Sequence, residues 1–159
     1  MREYGIEIDN TEKNIYDLGD NFKGYDNEGN KLEVTNYYFK LNEKLYFIVS
    51  GEFHFSRYDE RYWEKEIVKM KMSAVNTIAT YVFWNHHEET KGKFVWSCNR
   101  NLRRFIELCK MHHMYVILRV GPFAHGEVRN GGLPDWLYGM PFELRSNNEE
   151  YLYYVDRLY

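Results

Sequence analysis

Two cysteines, Cys98 and Cys109, are all that the 159 residues contain. That is too few for a disulfide framework, and both thiols read as free. No Asn-x-Ser/Thr acceptor occurs. No run of about 18 apolar residues exists, which excludes a helical membrane span. The opening stretch, Met1 to Asn10, carries charges and lacks the apolar core of a signal segment. Neither sign of charge dominates: 24 acids against 21 bases leave a net charge of −3. No segment is basic enough to track a phosphate backbone, so no nucleic-acid partner is expected. Internal repeats and low-complexity stretches are missing as well.

What is present is 44% hydrophobic and 18% aromatic residues, from 15 Tyr, 10 Phe and 4 Trp. The composition is globular, and the rings can build a sizeable core or offer flat platforms to ligands. The length suits one domain or part of a larger one. Residues 1–37 are polar and rich in turn chemistry between Asp17 and Asn30. They read as a loose N-terminal extension with one edge strand near Val34–Phe39. From Lys44 the pattern changes. Tyr46-Phe47-Ile48-Val49 reads as a strand buried on both faces. Trp63, Ile67, Met70 and Ala74 mark one helix face, with Asp59 ahead as a cap.

The alternation then repeats. Asn76–Phe83 and Tyr115–Leu118 read as strands, and Leu102, Phe105, Ile106 and Cys109 as a helix stripe. A third helix is expected from Ser146, with Ser146 and Glu149 as a capping box and Leu152, Val155 and Tyr159 as its apolar stripe. Such β-α-β-α-β-α order means parallel strands and right-handed crossovers. An open doubly wound sheet and a closed (β/α)8 barrel share it. Gly-x-Gly-x-x-Gly is absent after the first strand, which favours the barrel. A full barrel takes about 250 residues, so the fold class expected is α/β, a partial (β/α)8 TIM barrel of three N-terminal βα units over residues 38–159.

Chemistry in such barrels sits at the C-terminal strand ends. The stretches there are Gly51–Arg57, Tyr81–Glu89 and Arg119–Gly132, each mixing carboxylates, His and aromatics. That mixture suits a sugar, whose hydroxyls need acceptors and donors and whose ring face stacks on an aromatic. Glu127, in a glycine-rich loop, is the best candidate for a buried carboxylate, with a surface loop carboxylate as the equal alternative. Glu88 and Glu89 precede a turn and read as a solvated face. His86 and His87 are adjacent on a segment read as extended, where neighbours point apart. With no His-Glu-x-x-His or Cys-x-x-Cys spacing, no metal site is expected. His112-His113 reads as a helix end, Cys109 as core, and Trp84 and Trp136 as either packing or a ligand platform.

Three motifs together resemble glycoside hydrolase family 35, the β-galactosidase family. They are Ser50-Gly51-Glu52-Phe53-His54-Phe55-Ser56-Arg57; Asn76 through Glu88; and Gly121-Pro122-Phe123-Ala124-His125-Gly126-Glu127 with Gly131-Gly132-Leu133-Pro134-Asp135-Trp136-Leu137. The likeness runs from about residue 38 to the end. It implies a (β/α)8 barrel and retaining hydrolysis of terminal β-galactosyl bonds without a metal or organic cofactor. It also implies a β-galactoside or related oligosaccharide or polysaccharide as partner. Tyr81 matches the tyrosine that contacts the galactosyl unit, and Glu127 the glutamate that binds sugar hydroxyls. His125 and Gly126 fall where further contacts arise, partly through backbone.

The family's acid/base and nucleophile glutamates follow the fourth and seventh strands, so no catalytic residue is expected before Tyr159. The resemblance therefore implies a piece of the enzyme that is inactive alone. A non-catalytic carbohydrate-binding module and a half-barrel that self-associates through exposed sheet edges are the alternatives. Ala74 and Cys98 stand where glycine is expected. Members of the family are often exported, so no single compartment is implied.

Overall fold

A computed structural model describes residues 4–7 and 11–159. The chain forms two compact units, Met1–Ile48 and Val49–Tyr159.

In the first unit, Lys23–Tyr25 (β1), Lys31–Val34 (β2), Phe39–Leu41 (β3) and Lys44–Tyr46 (β4) form an antiparallel meander in chain order. The turn residues explain it. Asp26 accepts the amides of Glu28 and Asn30 at 2.9 and 2.8 Å, closing the β1–β2 connection. Asn42 and Glu43 both take positive φ, 49° and 64°, which is what a tight two-residue hairpin of right-twisted strands requires. Leu32 pairs with Leu41 and Val34 with Phe39 on one face. The other face carries ion pairs, Lys31–Glu33 at 2.6 Å and Lys40–Asp17 at 2.9 Å. The single edge strand expected near Val34–Phe39 is thus corrected to a four-stranded sheet, because polar turn clusters read as loose coil are hairpin connections. The pattern change at Lys44 falls inside this sheet, at the first residue of β4, as does the start of the family likeness near residue 38.

In the second unit, Ser50–Glu52 (β5), Thr77–Val82 (β6) and Tyr115–Val120 (β7) form a parallel sheet in the order β5-β6-β7. Ser50 pairs with Thr77, and Thr77 through Val82 with Tyr115 through Val120. Trp63–Met72 (α1), the single turn Trp84–His87 (α2), Leu102–Met111 (α3) and Glu149–Asp156 (α4) complete the alternation. The apolar run Tyr46–Val49 is not the buried strand expected. Tyr46 ends β4, Phe47 is 75% exposed, and the parallel ladder begins at Ser50. A short apolar run fixes burial no better than it fixes type, and pairing decided this one.

Helices α1 and α3 stop in the same way. The amides of Ala74 and Val75 reach back to the carbonyls of Lys71 and Met70, and those of His113 and Met114 to Lys110 and Cys109. Ala74 and His113 have φ 64° and 55°, the left-handed residue of a Schellman stop, where glycine is most at home. Ile67, Ile78, Phe105, Leu108 and Cys109 close the main core between the helices and the sheet. Asp59 caps the turn Glu60–Tyr62 that leads into α1. Helix α4 is capped by Asn148 and not by a Ser146–Glu149 box: Asn148 accepts the amides of Glu150 and Tyr151 at 3.0 and 3.2 Å. Its buried stripe is Tyr151, Val155 and Leu158, while Leu152 and Tyr159 are 40% and 71% exposed. Val155 is buried as expected, while packing takes Tyr151 and Leu158 in place of Leu152 and Tyr159.

Candidate functional site

The C-terminal ends of β5, β6 and β7 bring Glu52, Tyr81 and Arg119 to one face, since side chains two apart on a strand share a face and the register aligns Tyr81 with Arg119. The Arg119 guanidinium lies 3.9 Å from the Tyr81 ring centroid and donates to the Tyr81 hydroxyl at 3.2 Å. Arg119 Nη2 also lies 2.7 Å from Glu52 Oε1, an ion pair without hydrogen-bond geometry, since neither Nη2 nor Nε of Arg119 has a hydrogen-bond partner among the described residues. His54 Nε2 is 2.5 Å from that same oxygen. The His54 imidazole, and after it the Arg119 guanidinium, hold the Glu52 carboxyl below the ordinary glutamate range despite partial burial.

Beyond β7 the chain returns over these rings. A Cβ on Gly126 would come within 2.7 Å of Phe83 and 2.9 Å of Tyr81, so only glycine lets the backbone lie this close. Arg57 clasps the segment, donating from Nη2 to the carbonyls of Gly126 and Glu127 at 2.5 and 3.0 Å. Its guanidinium lies 5.0 Å from the Phe83 centroid. Glu127, at φ 50°, then lines a cavity of about 520 Å³ together with Arg57, Asn85, His86, Glu89 and Asp135. Carboxylate acceptors, amide and guanidinium donors and adjacent rings can hold a polyhydroxylated ligand.

The structure thus brings Gly126 onto the Tyr81 ring, while Glu127, the next residue, faces a cavity that Tyr81, Gly126 and His125 do not line. His125 is exposed, its ring edge against Phe123 at 5.2 Å. Two burial expectations are corrected. Glu127 is exposed, because the loop turns outward after Gly126. Glu88 is 1% exposed and accepts from Trp84 Nε1 at 2.7 Å and from the Gly92 amide at 2.6 Å. It closes α2 and the following turn, where helical geometry brings residues four apart together. Glu89 is exposed and pairs with Arg100 at 2.7 Å.

The two histidines lie on a helical turn rather than an extended segment. His87 is buried, stacked at 4.1 Å on Trp96, and its Nδ1 donates to the Val95 carbonyl at 3.0 Å. Burial drives its pKa down to about 4 and lowers that of His86. Among the described residues no three His, Cys, Asp or Glu side chains are grouped to hold a metal ion, and no helix is long and apolar enough to cross a membrane. Cys109 is core, its thiol pushed up to about 12 by burial. Arg57, Arg119 and Glu52 were not singled out as site residues by sequence reasoning. Each lies in a rim stretch, but only the register and the folded-back loop show what they hold.

Residues 38–159 match glycosyl hydrolases family 35. The chain is 35% identical over 144 residues to "Beta-galactosidase-1-like protein 3" of Mus musculus, covering 90% of this chain and 22% of that protein. It is 39% identical over 118 residues to "Beta-galactosidase 11" of Arabidopsis thaliana, covering 74% of this chain and 14% of that protein. To "Beta-galactosidase" of Mus musculus it is 38% identical over 128 residues, covering 80% and 20%. The chain thus spans about a fifth or less of the length of these relatives. It belongs to glycosyl hydrolases family 35.

Proposed function

We propose that residues 38–159 are the N-terminal part of a (β/α)8 catalytic barrel, and that this part carries one side of the sugar-binding rim of a retaining hydrolase of terminal β-galactosyl bonds. Family membership and the names of the relatives support the reaction class. The observation that carries the site is the seat of Gly126 on the Tyr81 ring, which ties Glu127 to the tyrosine. On this reading Glu127 accepts sugar hydroxyls and Tyr81 contacts the galactosyl ring. Gly126 gives the sugar close access to backbone, and His125 contributes through its main chain. No metal or organic cofactor enters the reaction.

Retaining hydrolysis needs two carboxyl groups about 5–5.5 Å apart, one acid/base and one nucleophile. Glu52 is committed to Arg119 and His54, and Glu88 to Trp84 and Gly92. On this reading, which follows the family resemblance, the catalytic pair is supplied from outside this chain, which by itself binds without cleaving. β7 pairs along one side with β6, and Ile117 and Leu118 on it are 40% and 38% exposed. This strand is the proposed route of self-association, read as a mass above 19.4 kDa by light scattering.

The test is saturation-transfer NMR on the purified chain with methyl β-galactoside, beside an assay with a chromogenic β-galactoside. Binding that is lost in Glu127→Gln, with no turnover, is the expected result. Turnover abolished by Glu127→Gln would overturn the inactive-alone reading, and absent binding would overturn the rim.

A further inference from the structure

Glu52, Tyr81 and Arg119 stand on three neighbouring strands, and every polar group on the Tyr81 ring leads back to one carboxylate. Arg119 covers the ring at 3.9 Å and donates to its hydroxyl at 3.2 Å. Glu52 Oε1 holds that guanidinium at 2.7 Å and the His54 imidazole at 2.5 Å. His54 in turn meets the Tyr81 ring edge-on, centroids 5.3 Å apart. Gly126 rests on the same ring, and Glu127 follows it.

We propose that Glu52 is a positioning residue of the sugar site: through Arg119 and His54 it fixes the Tyr81 ring, and through that ring the seat of Gly126 and Glu127. The consequence for ligand binding rests on the proposed rim; the chain of contacts does not. An arginine side chain has much rotamer freedom, which a carboxylate partner removes. Exposed pairs are weak when isolated, and Glu52 is half exposed at 49%. Here, however, one carboxylate gathers a cation from β7 and an imidazole from its own segment, and both groups also touch the ring from β6. Protonating or neutralising Glu52 frees both together. Its carboxyl is held below the ordinary glutamate range by the His54 imidazole and the Arg119 guanidinium, the titratable and charged groups that contact it.

The experiment follows the Tyr81 ring by NMR in tyrosine-labelled full chain, with Tyr81→Phe identifying the signal. In the wild type the Tyr81 signal should shift in one step on acidification, with a midpoint below 4.5. In Glu52→Gln it should sit at the acid position at neutral pH and show no step. The dissociation constant for methyl β-galactoside should rise about tenfold in Glu52→Gln, the loss of one charge-assisted contact, and recover in Glu52→Asp. A wild-type Tyr81 signal that does not move overturns the proposal without any variant, as does a step that persists in Glu52→Gln. A step confined to wild type, in a chain that binds no galactoside, supports the positioning role and counts against the rim instead.

Discussion

The indole of Trp84 donates to the Glu88 carboxylate at 2.7 Å, with both side chains buried. The other carboxylate oxygen accepts the Gly92 amide at 2.6 Å and lies 3.6 Å from Arg157 Nη2. A carboxylate so surrounded holds α2 to the turn behind it.

Replacing Glu88 with Leu leaves an indole N–H and a backbone N–H without an acceptor and an arginine without its counter-charge. The expected loss is about 3–5 kcal/mol, the cost of breaking a buried charged network on one side. Glu88→Gln, which keeps one acceptor, should lose less. Urea unfolding followed by tryptophan fluorescence measures both.

Gly126→Ala puts a methyl within 2.7–2.9 Å of the Phe83 and Tyr81 rings. Overpacking of this kind costs about 1–3 kcal/mol. The loop must lift from the rings, so galactoside binding should weaken along with the melting temperature. An unchanged melt and unchanged binding would show that the loop does not rest on Tyr81.

Ala74→Gly and His113→Gly should each stabilise the chain by up to about 1 kcal/mol, because a left-handed residue with a Cβ costs about 1–2 kcal/mol and glycine's extra freedom in the unfolded chain returns part of that. Cys98, at φ 52°, should respond in the same direction. Thermal melts of the single variants, and additivity in the double, decide this.

Stability should fall between neutral pH and pH 5 through His87. Its pKa drops from 6.5 to about 4 on burial, so over that window the unfolded state takes up a proton that the folded state refuses. Stability is full above the unfolded pKa and is lost as pH falls towards the folded one. The contribution is about 2 kcal/mol between pH 7 and pH 5. His87→Gln should flatten that part of the profile, and an unaltered slope would assign it elsewhere.

Much of the second unit was legible in the residues. The spacing of Trp63, Ile67 and Met70 gave α1, and the β-branched run at Asn76–Phe83 gave β6, because both elements bury a face against the same core. Ala74, placed on that helix face by its spacing, instead lies exposed past the end of α1 in the left-handed conformation, because the helix stops at Met72. Where the reading failed, the deciding partner was distant or geometrically fine. Ser146 was a plausible cap, but Asn148, two residues on, took the role, and packing buried Tyr151 and Leu158 beside the expected Val155. Tyr46–Val49 had a strand's composition, yet pairing gave its first residue to one sheet and left Phe47 exposed.

By itself the sequence determined the parallel α/β order and the three rim stretches, because these follow from local periodicity and from residue types that sit at strand ends. Tertiary structure alone decided which carboxylate is buried. Glu88 and Glu127 are both glutamates beside glycine-bearing turns, and distant arginines complete the difference between them, Arg157 beside Glu88 and Arg57 beside Glu127. A helical turn folds Glu88 back onto Trp84, while the Arg57 clasp on the Gly126 and Glu127 carbonyls lets the Glu127 side chain out into the cavity. The same holds for Glu52 and Arg119, 67 residues apart in sequence and brought to one tyrosine by the register of three strands.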